Sequence, residues 1–338
     1  MDPLSDVRQK IEQRLESFAA ELLAYTGEQL PDAQPMVAQM VALTLRGGKR
    51  IRGQLLAAAA EACAPWTTVE TAGIEVGAAL EWLQSYLLLH DDWMDDDSLR
   101  RGAPTAHVAL GERYGNARTG ATLAILAGDL ACALAQQTVM QAAAPVDRVG
   151  AMGAVFAEIQ RDVVLGQTLD VLGSEDVDRM RQLKTGSYTV RGPLALGHAL
   201  ANGTAAALVV LRAFGEPIGL AFQLRDDVLG VVGDHVRTGK HARSDLNPAR
   251  RNAVVMAALA TMDDRRRADF DRLCRSTDDA SVADAQAIVA ESGAVHTVET
   301  RIAHACAQAI DALKDGSLRP SGVALLERLA HAICERVS

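Results

Sequence analysis

Between Leu88 and Gly102 an apolar, helix-prone segment runs straight into five carboxylates within seven residues, Asp91, Asp92, Asp95, Asp96 and Asp97, and then into the adjacent Arg100 and Arg101. So much charge at one helix end restricts the fold, because it has to meet cations or solvent and cannot be packed away unpaired. On a helix Asp91 and Asp95 stand one turn apart on a shared face with Asp92 beside them, so the three converge on hard cations. Oxygen donors without His or Cys suggest magnesium held mainly through a substrate's phosphates, since that ion keeps its waters and rarely sits in an all-protein cage.

The remainder reads as helix. The chain has 338 residues, is 49% hydrophobic but only 4% aromatic, is rich in alanine and has few stretches of β-branched alternation. Its net charge of -9 argues against a nucleic-acid partner, whose phosphates need a broad basic face. Phosphate chemistry must therefore use local basic clusters. Cys63, Cys132, Cys274, Cys306 and Cys334 lie far apart without a CxxC pair, as expected of free thiols in a reducing cytoplasm. The first residues show no basic region followed by an apolar one, so no secretion signal is expected. The most apolar window, Thr119 to Val139, has Asp129 and small residues at its centre and is expected to be a core helix, not a transmembrane segment.

Val7, Ile11, Leu15, Phe18 and Leu22 predict a first helix behind a Ser5 cap, ended by Pro31 and Pro35. A second helix begins near Met36 and leads into Gly47-Gly48-Lys49-Arg50-Ile51-Arg52. Two glycines let the backbone turn closely while Lys49 and Arg52, three apart, project together. This is either a solvated basic helix start or an anion site for a diphosphate. Further helices are predicted over Val69–Leu89, Thr119–Gln141 and Arg148–Leu172, with connections too short for interdomain linkers. One domain over residues 1–338 is expected.

The acidic signature recurs where the apolar stretch from Gly219 runs into Asp226-Asp227 and ends at Gly230. Two such helix ends facing each other across a bundle would hold metal ions between them. Lys184-Thr185-Gly186 marks a helix break whose carbonyls are freed to face a cavity. The charged, glycine-punctuated segment through Gly239-Lys240, Asp245 and Arg250 is either a surface excursion or a lid. From Asn252 onward only helical packing elements are expected.

In order, Gly47-Gly48-Lys49-Arg50, Asp91-Asp92-x-x-Asp95 with Arg100-Arg101-Gly102 and Pro104-Thr105, Gly128-Asp129, Gly166-Gln167 with Asp170, Lys184-Thr185, Phe222-Gln223 with Asp226-Asp227, and Gly239-Lys240 resemble the trans-type isoprenyl diphosphate synthases, or polyprenyl synthetase family. The resemblance covers about residues 40 to 255 and implies an all-α orthogonal helical bundle around a deep central cavity, with a homodimer as the usual assembly. It implies head-to-tail condensation of isopentenyl diphosphate with allylic diphosphates, assisted by three Mg2+ ions, with Mn2+ as a substitute. By position, Asp91, Asp92, Asp95, Asp226 and Asp227 look like metal-binding residues. Arg100, Lys184, Gln223 and Lys240 look like the clamp on the allylic diphosphate, and Lys49, Arg52, Arg101 and Gln84 like the isopentenyl diphosphate site. The carbonyls of Lys184 and Thr185 and the Gln223 amide are the oxygen dipoles available to a carbocation. Three positions depart from the family pattern: Gly230 stands where a third aspartate is usual, Arg250 where lysine is frequent, and Arg243-Ser244 where a glycine-serine pair precedes Asp245.

Chain length is argued from geometry. The growing chain is expected to run from the first acidic cluster along its own helix, and Tyr86, five residues back, lies about 7.5 Å upstream. A ring there, beside Leu87 and without an insertion between Asp92 and Asp95, resembles the geranylgeranyl (C20) pattern more than the farnesyl (C15) one. The alternative has Tyr86 packing in the core and Leu83 or Trp82 setting the limit. Rival functions are a farnesyl or longer-chain synthase, a class I terpene cyclase and a noncatalytic partner subunit. Lys49, Arg52 and Arg101 speak against a cyclase, and the retained aspartates against an inactive subunit. His90 and His107 are expected to be structural, because no second imidazole lies near either in the sequence.

Overall fold

The computed structural model describes residues 2–232, 246–248, 251–276 and 278–335. In chain order the helices are α1 (Pro3–Gln29), α2 (Gln34–Leu45), α3 (Ile51–Cys63), α4 (Glu70–Met94), α5 (Ala106–Tyr114), α6 (Ala117–Met140), α7 (Val146–Val171), α8 (Val177–Arg181), α9 (Gly192–Leu200), α10 (Ala205–Val232), α11 (Ala253–Thr261), α12 (Asp264–Arg275), α13 (Asp279–Glu291), α14 (Ala294–Ala312) and α15 (Pro320–Cys334). The protein is all-α, with one two-stranded ribbon between α4 and α5, in which β1 (Leu99–Arg100) pairs antiparallel with β2 (Ala103–Pro104). Two compact units are distinguished. The first comprises Met1–Gln160, Tyr188–Arg212 and Gly316–Leu326, and the second Arg161–Ser187, Ala213–Asp315 and Glu327–Ser338.

Small residues explain how the first unit packs. Gly53 on α3 and Gly77 on α4 face each other around the Ile11 side chain of α1, and a Cβ added to either would strike Ile11 Cδ1, at 2.2 and 2.7 Å respectively. Ile11 fills the slot that the missing side chains leave, so Ile11→Ala would cost about 3 kcal/mol. On α6, Ala124, Ala127, Ala131 and Ala135 are fully buried at helical spacing and pack towards α4. The alanine-rich, aromatic-poor composition is thus what lets these helices approach closely. Trp82 is buried on α4, with its ring 5.5 Å from that of Phe18.

In the second unit, Phe214, Ile218, Ala221, Leu224, Val228 and Val231 form the buried face of α10. Arg225, on a neighbouring face, makes a bidentate pair with Glu299 of α14 at 2.5 and 2.7 Å and also donates to the carbonyl of Cys334. This ties the residue before the second acidic pair to two other helices.

Several local expectations are corrected. Ser5 lies inside α1, which starts at Pro3, and its hydroxyl donates to the Asp2 carboxylate instead of capping the backbone. Pro35 starts α2 instead of ending α1, because proline is tolerated where the first helical N–H groups have no partner anyway. The break expected at Lys184-Thr185-Gly186 is a π-wound stretch, Gln182–Arg191. Helices α6 and α10 are long and apolar enough to cross a membrane by length and composition. The expected core role of α6 holds for its alanine face, whereas Leu126 and Met140 are exposed.

Candidate active site

In the first unit the acidic helix end and the basic turn are laced to one another. Helix α4 ends at Met94, and the β1–β2 turn follows with positive φ at both Arg101 and Gly102, as a tight hairpin turn requires. Arginine in that region is unusual, and such strain persists where surroundings hold it. Here Arg101 Nη1 donates to the carbonyl of Gly47 at 2.9 Å, and Arg46 Nη1 donates to the carbonyl of Arg100 at 3.1 Å. Burial lowers the Arg101 pKa; Glu81 opposes that shift, while Arg50, Arg100 and Arg52 add to it. The site is therefore rich in cations before any ligand arrives. Arg52 is buried, lies over the Tyr188 ring at 4.6 Å and donates to Thr189 Oγ1 at 3.2 Å.

The aspartates of the first motif differ in environment. Asp92 is 2% exposed and accepts from Arg100 Nε at 2.6 Å. Burial pushes its carboxyl up to about 6, against the pull of Arg100. Burial also opposes the charge on Arg100, but Asp92, Asp91 and Asp97 outweigh it and hold the guanidinium above its ordinary range. At neutral pH the pair is ionised. Asp91 is more open, 3.9 Å from Arg100 Nη2. Upstream, Tyr86 is half-buried, and its ring meets His90 edge-on at 4.9 Å. Burial raises the Tyr86 phenol pKa, with Cys132 and Asp129 adding to it. His90 bonds the Ile125 carbonyl at 3.0 Å, a structural role, and its ring fills the space that a side chain on Gly128 would need.

In the second unit Asp227 is the centre. Its carboxylate accepts from Arg181 at 3.0 Å, from Gln223 Nε2 at 2.8 Å and from the Ala253 N–H at 2.7 Å. Burial raises its pKa, against Arg181, the Ala253 amide and Gln223. Asn252 donates to the Asp227 carbonyl and caps α11 through Val254 N–H. Arg181 also bonds the carbonyl of Arg251, whose guanidinium reaches the carbonyls of Gly173 and Ser174. Lys184 Nζ is 2.6 Å from Asp170 Oδ2. Gly166, one turn before Asp170, lets α7 touch the π-wound backbone, since a Cβ there would lie 2.2 Å from Lys184 N.

The model for polyprenyl synthetases matches residues 34–292. The chain belongs to the polyprenyl synthetase family. As a member it is a prenyltransferase of the short-chain isoprenyl diphosphate synthase type, and family membership carries divalent-metal dependence. It is 33% identical over 272 residues to a short chain isoprenyl diphosphate synthase of Methanothermobacter thermautotrophicus, covering 78% of each chain. It is 30% identical over 302 residues to a geranylfarnesyl diphosphate synthase of Aeropyrum pernix, covering 86% of this chain and 91% of that one. A crystal structure of the Corynebacterium glutamicum geranylgeranyl pyrophosphate synthase, complexed with isoprenyl diphosphate and magnesium, superposes with a TM-score of 0.83 at 28% identity and covers 98% of both chains.

Among the described residues of this polyprenyl synthetase, no three His, Cys, Asp or Glu side chains form a ready metal cage. The oxygen-only donors, Asp91 and Asp95 in the first unit and Asp226 in the second, are nevertheless of the kind magnesium takes, since that ion uses one or two carboxylates and completes its shell with water and substrate phosphate. Asp92 and Asp227 are engaged by arginines, so their oxygens serve the protein's own cations in this structure. Lys49, Arg52, Arg100, Arg101 and the half-buried Gln84 fall in the first unit, and Lys184, Thr185, Gln223 and Asp226 in the second. Lys240 lies outside the described residues. Sequence reasoning missed Arg46, Glu81, Arg181 and Asn252. The signal for Glu81 was present, because Glu81, Ser85, Leu89 and Asp92 follow one helical face and all four are buried.

Proposed function

We propose that this enzyme condenses isopentenyl diphosphate head-to-tail with allylic diphosphates and releases chiefly geranylgeranyl diphosphate (C20). The Tyr86 ring carries the product assignment: it stands about 7.5 Å along α4 from Asp91, half-buried and held edge-on by His90. A ring fixed on the helix that ends at the ionisation site limits how far a chain can grow. Leu83, about one turn further back, is fully buried, and the adjacent Leu87 is half-buried. The test is the product distribution of Tyr86→Ala. Products longer than C20 are expected, and an unchanged distribution would assign the limit to Leu83 or Trp82 instead.

In the proposed reaction, Arg100 and Lys184, with Lys240, bind the allylic diphosphate, while Lys49, Arg52, Arg101 and Gln84 bind that of isopentenyl diphosphate. Asp91, Asp95 and Asp226 would hold the metal, three Mg2+ ions or Mn2+ in their place, which would supply charge for the departing diphosphate. Fixed cations also stabilise negative charge as the allylic C–O bond breaks, and they need no reorganisation to do so. The Lys184 and Thr185 carbonyls face the carbocation as oxygen dipoles. The Gln223 amide N–H2 is occupied by Asp227, which leaves its Oε1 to do the same. The isopentenyl alkene then attacks, and the proton lost leaves with the released diphosphate.

The enzyme is proposed to work as a cytoplasmic homodimer of single-domain chains. The absence of disulfides among its five cysteines supports the compartment, and the exposed apolar residues of α6 support the assembly.

A further inference from the structure

Arg50 and Glu81 form a buried pair that the reaction does not use. Arg50 is 5% and Glu81 2% exposed, and Arg50 Nη1 donates to Glu81 Oε2 at 2.8 Å. Arg50 also donates to the carbonyl of Thr44 at 3.0 Å; Thr44 and Ser85 share a hydroxyl hydrogen bond at 2.7 Å, and Ser85 donates to the Glu81 carbonyl at 3.0 Å. These four residues close a ring through the last turn of α2, the residue before α3 and the middle of α4. The ring encloses the turn of Gly47, Gly48 and Lys49, and Arg50 closes that turn with φ +49°, a conformation an arginine adopts only when held. Gln54 Nε2 secures the carbonyl of Lys49 from the other side. Glu81 is also the carboxylate whose charge opposes the crowding of Arg50, Arg52 and Arg100 around Arg101. A buried anion beneath a cation cluster cannot be a substrate contact, since it would repel a diphosphate, and an unpaired one would be costly.

We propose that Glu81 is a positioning residue for the isopentenyl diphosphate: its carboxylate pins Arg50 in the left-handed conformation and so fixes the turn from which Lys49 and Arg52 reach that ligand. This rests on the reading of Lys49, Arg52 and Arg101 as the isopentenyl diphosphate site. Glu81 acts through Arg50, so its loss weakens one substrate and spares the other.

The experiment is steady-state kinetics with both substrates varied, together with thermal unfolding, on Glu81→Gln, the double variant Glu81→Leu/Arg50→Met, and Lys49→Ala. In Glu81→Gln the KM for isopentenyl diphosphate is expected to rise at least about tenfold, with the allylic KM changed less than about twofold. The double variant removes both charges and is expected to regain thermal stability while its isopentenyl KM stays high. If that KM returns to the wild-type value along with the stability, or if Glu81→Gln moves both KM values alike, the pair is merely structural and the proposal is overturned. An unchanged isopentenyl KM in Lys49→Ala overturns the site assignment and the proposal with it. A raised one in Lys49→Ala with none in Glu81→Gln overturns the role of Glu81 alone.

Discussion

Adjacent aspartates in the first motif have different physical roles. Successive residues on a helix are turned by about 100°, so Asp91 faces the open side while Asp92 falls on the buried face behind Leu89 and accepts from Arg100. Asp92→Asn is therefore expected to destabilise the metal-free protein by about 3 kcal/mol, because it takes from buried Arg100 its nearest counter-charge and leaves only the more distant Asp91 and Asp97. Equal melting temperatures for wild type and Asp92→Asn in chelator would show that the Asp92–Arg100 pair does not support the fold. The DDxxD pattern made the aspartates legible as a group. It did not separate them, since pattern matching ignores the face on which each residue falls. The thiols give a pH test at the same scale. Burial pushes Cys63 and Cys274 from 9.0 up to about 11. Between these values the folded state holds more protons than the unfolded one, so this stabilising share is complete below pH 9 and is lost as pH climbs through about 11. Alkylation of the native protein by iodoacetamide at about pH 8, below the ordinary thiol range, should be slow at both positions. Fast modification there would contradict their burial.

Two of the three glycines of helix α7 have opposite expected responses to alanine. Gly150 has open space where a Cβ would go, so Gly150→Ala should stabilise the protein by about 0.5–1 kcal/mol through helix propensity. At Gly166 the same change drives a methyl group into the backbone of Leu183 and Lys184, and backbone cannot swing aside as a side-chain tip can. Gly166→Ala is expected to cost about 2 kcal/mol and to lower turnover as well, by shifting Lys184 from Asp170. Denaturant melts and kinetics of the two variants, run side by side, check both signs. Among the elements, the long helices were readable from their helical periodicity, and α4, α6 and α7 start within two residues of expectation. The π-wound stretch was not, because Lys184-Thr185-Gly186 carries the composition of a break, and only the backbone of α7 pressed against it shows that the winding continues. The β1–β2 ribbon was missed for a related reason: two-residue strands leave no alternation to detect, and the first residue of its Arg101-Gly102 turn is an arginine where asparagine, aspartate or glycine before Gly102 would have signalled it.

For the molecule as a whole, the ordered motifs made the family legible, while Arg181, Asn252 and Arg251 stayed hidden because long-range hydrogen bonds to Asp227 and its neighbours leave no local pattern. Helix α6 makes the remaining argument. Its exposed residues Thr122, Leu126, Asp129, Ala133, Gln136 and Met140 recur at alternating spacings of four and three, the seam on which two helices pack. Leu126 is 48% and Met140 54% exposed. Two coverings suit such a face, a lipid phase or a second copy. Asp129 in mid-seam favours the second copy of the proposed dimer, since a carboxylate facing hydrocarbon costs several kcal/mol, and Gln136 beyond it adds a second polar group better met by a protein partner than by acyl chains. In a symmetric dimer each seam residue is buried twice. Burying Leu126 contributes about 2 kcal/mol per copy, so Leu126→Glu is expected to weaken dimerisation by about 4 kcal/mol, roughly a thousandfold. Sedimentation of wild type and variant at matched micromolar concentrations should show dimer and monomer respectively. A wild-type monomer, or a dimer that survives the glutamate, would remove α6 as the interface, and co-flotation of the wild type with phospholipid vesicles would return the face to lipid.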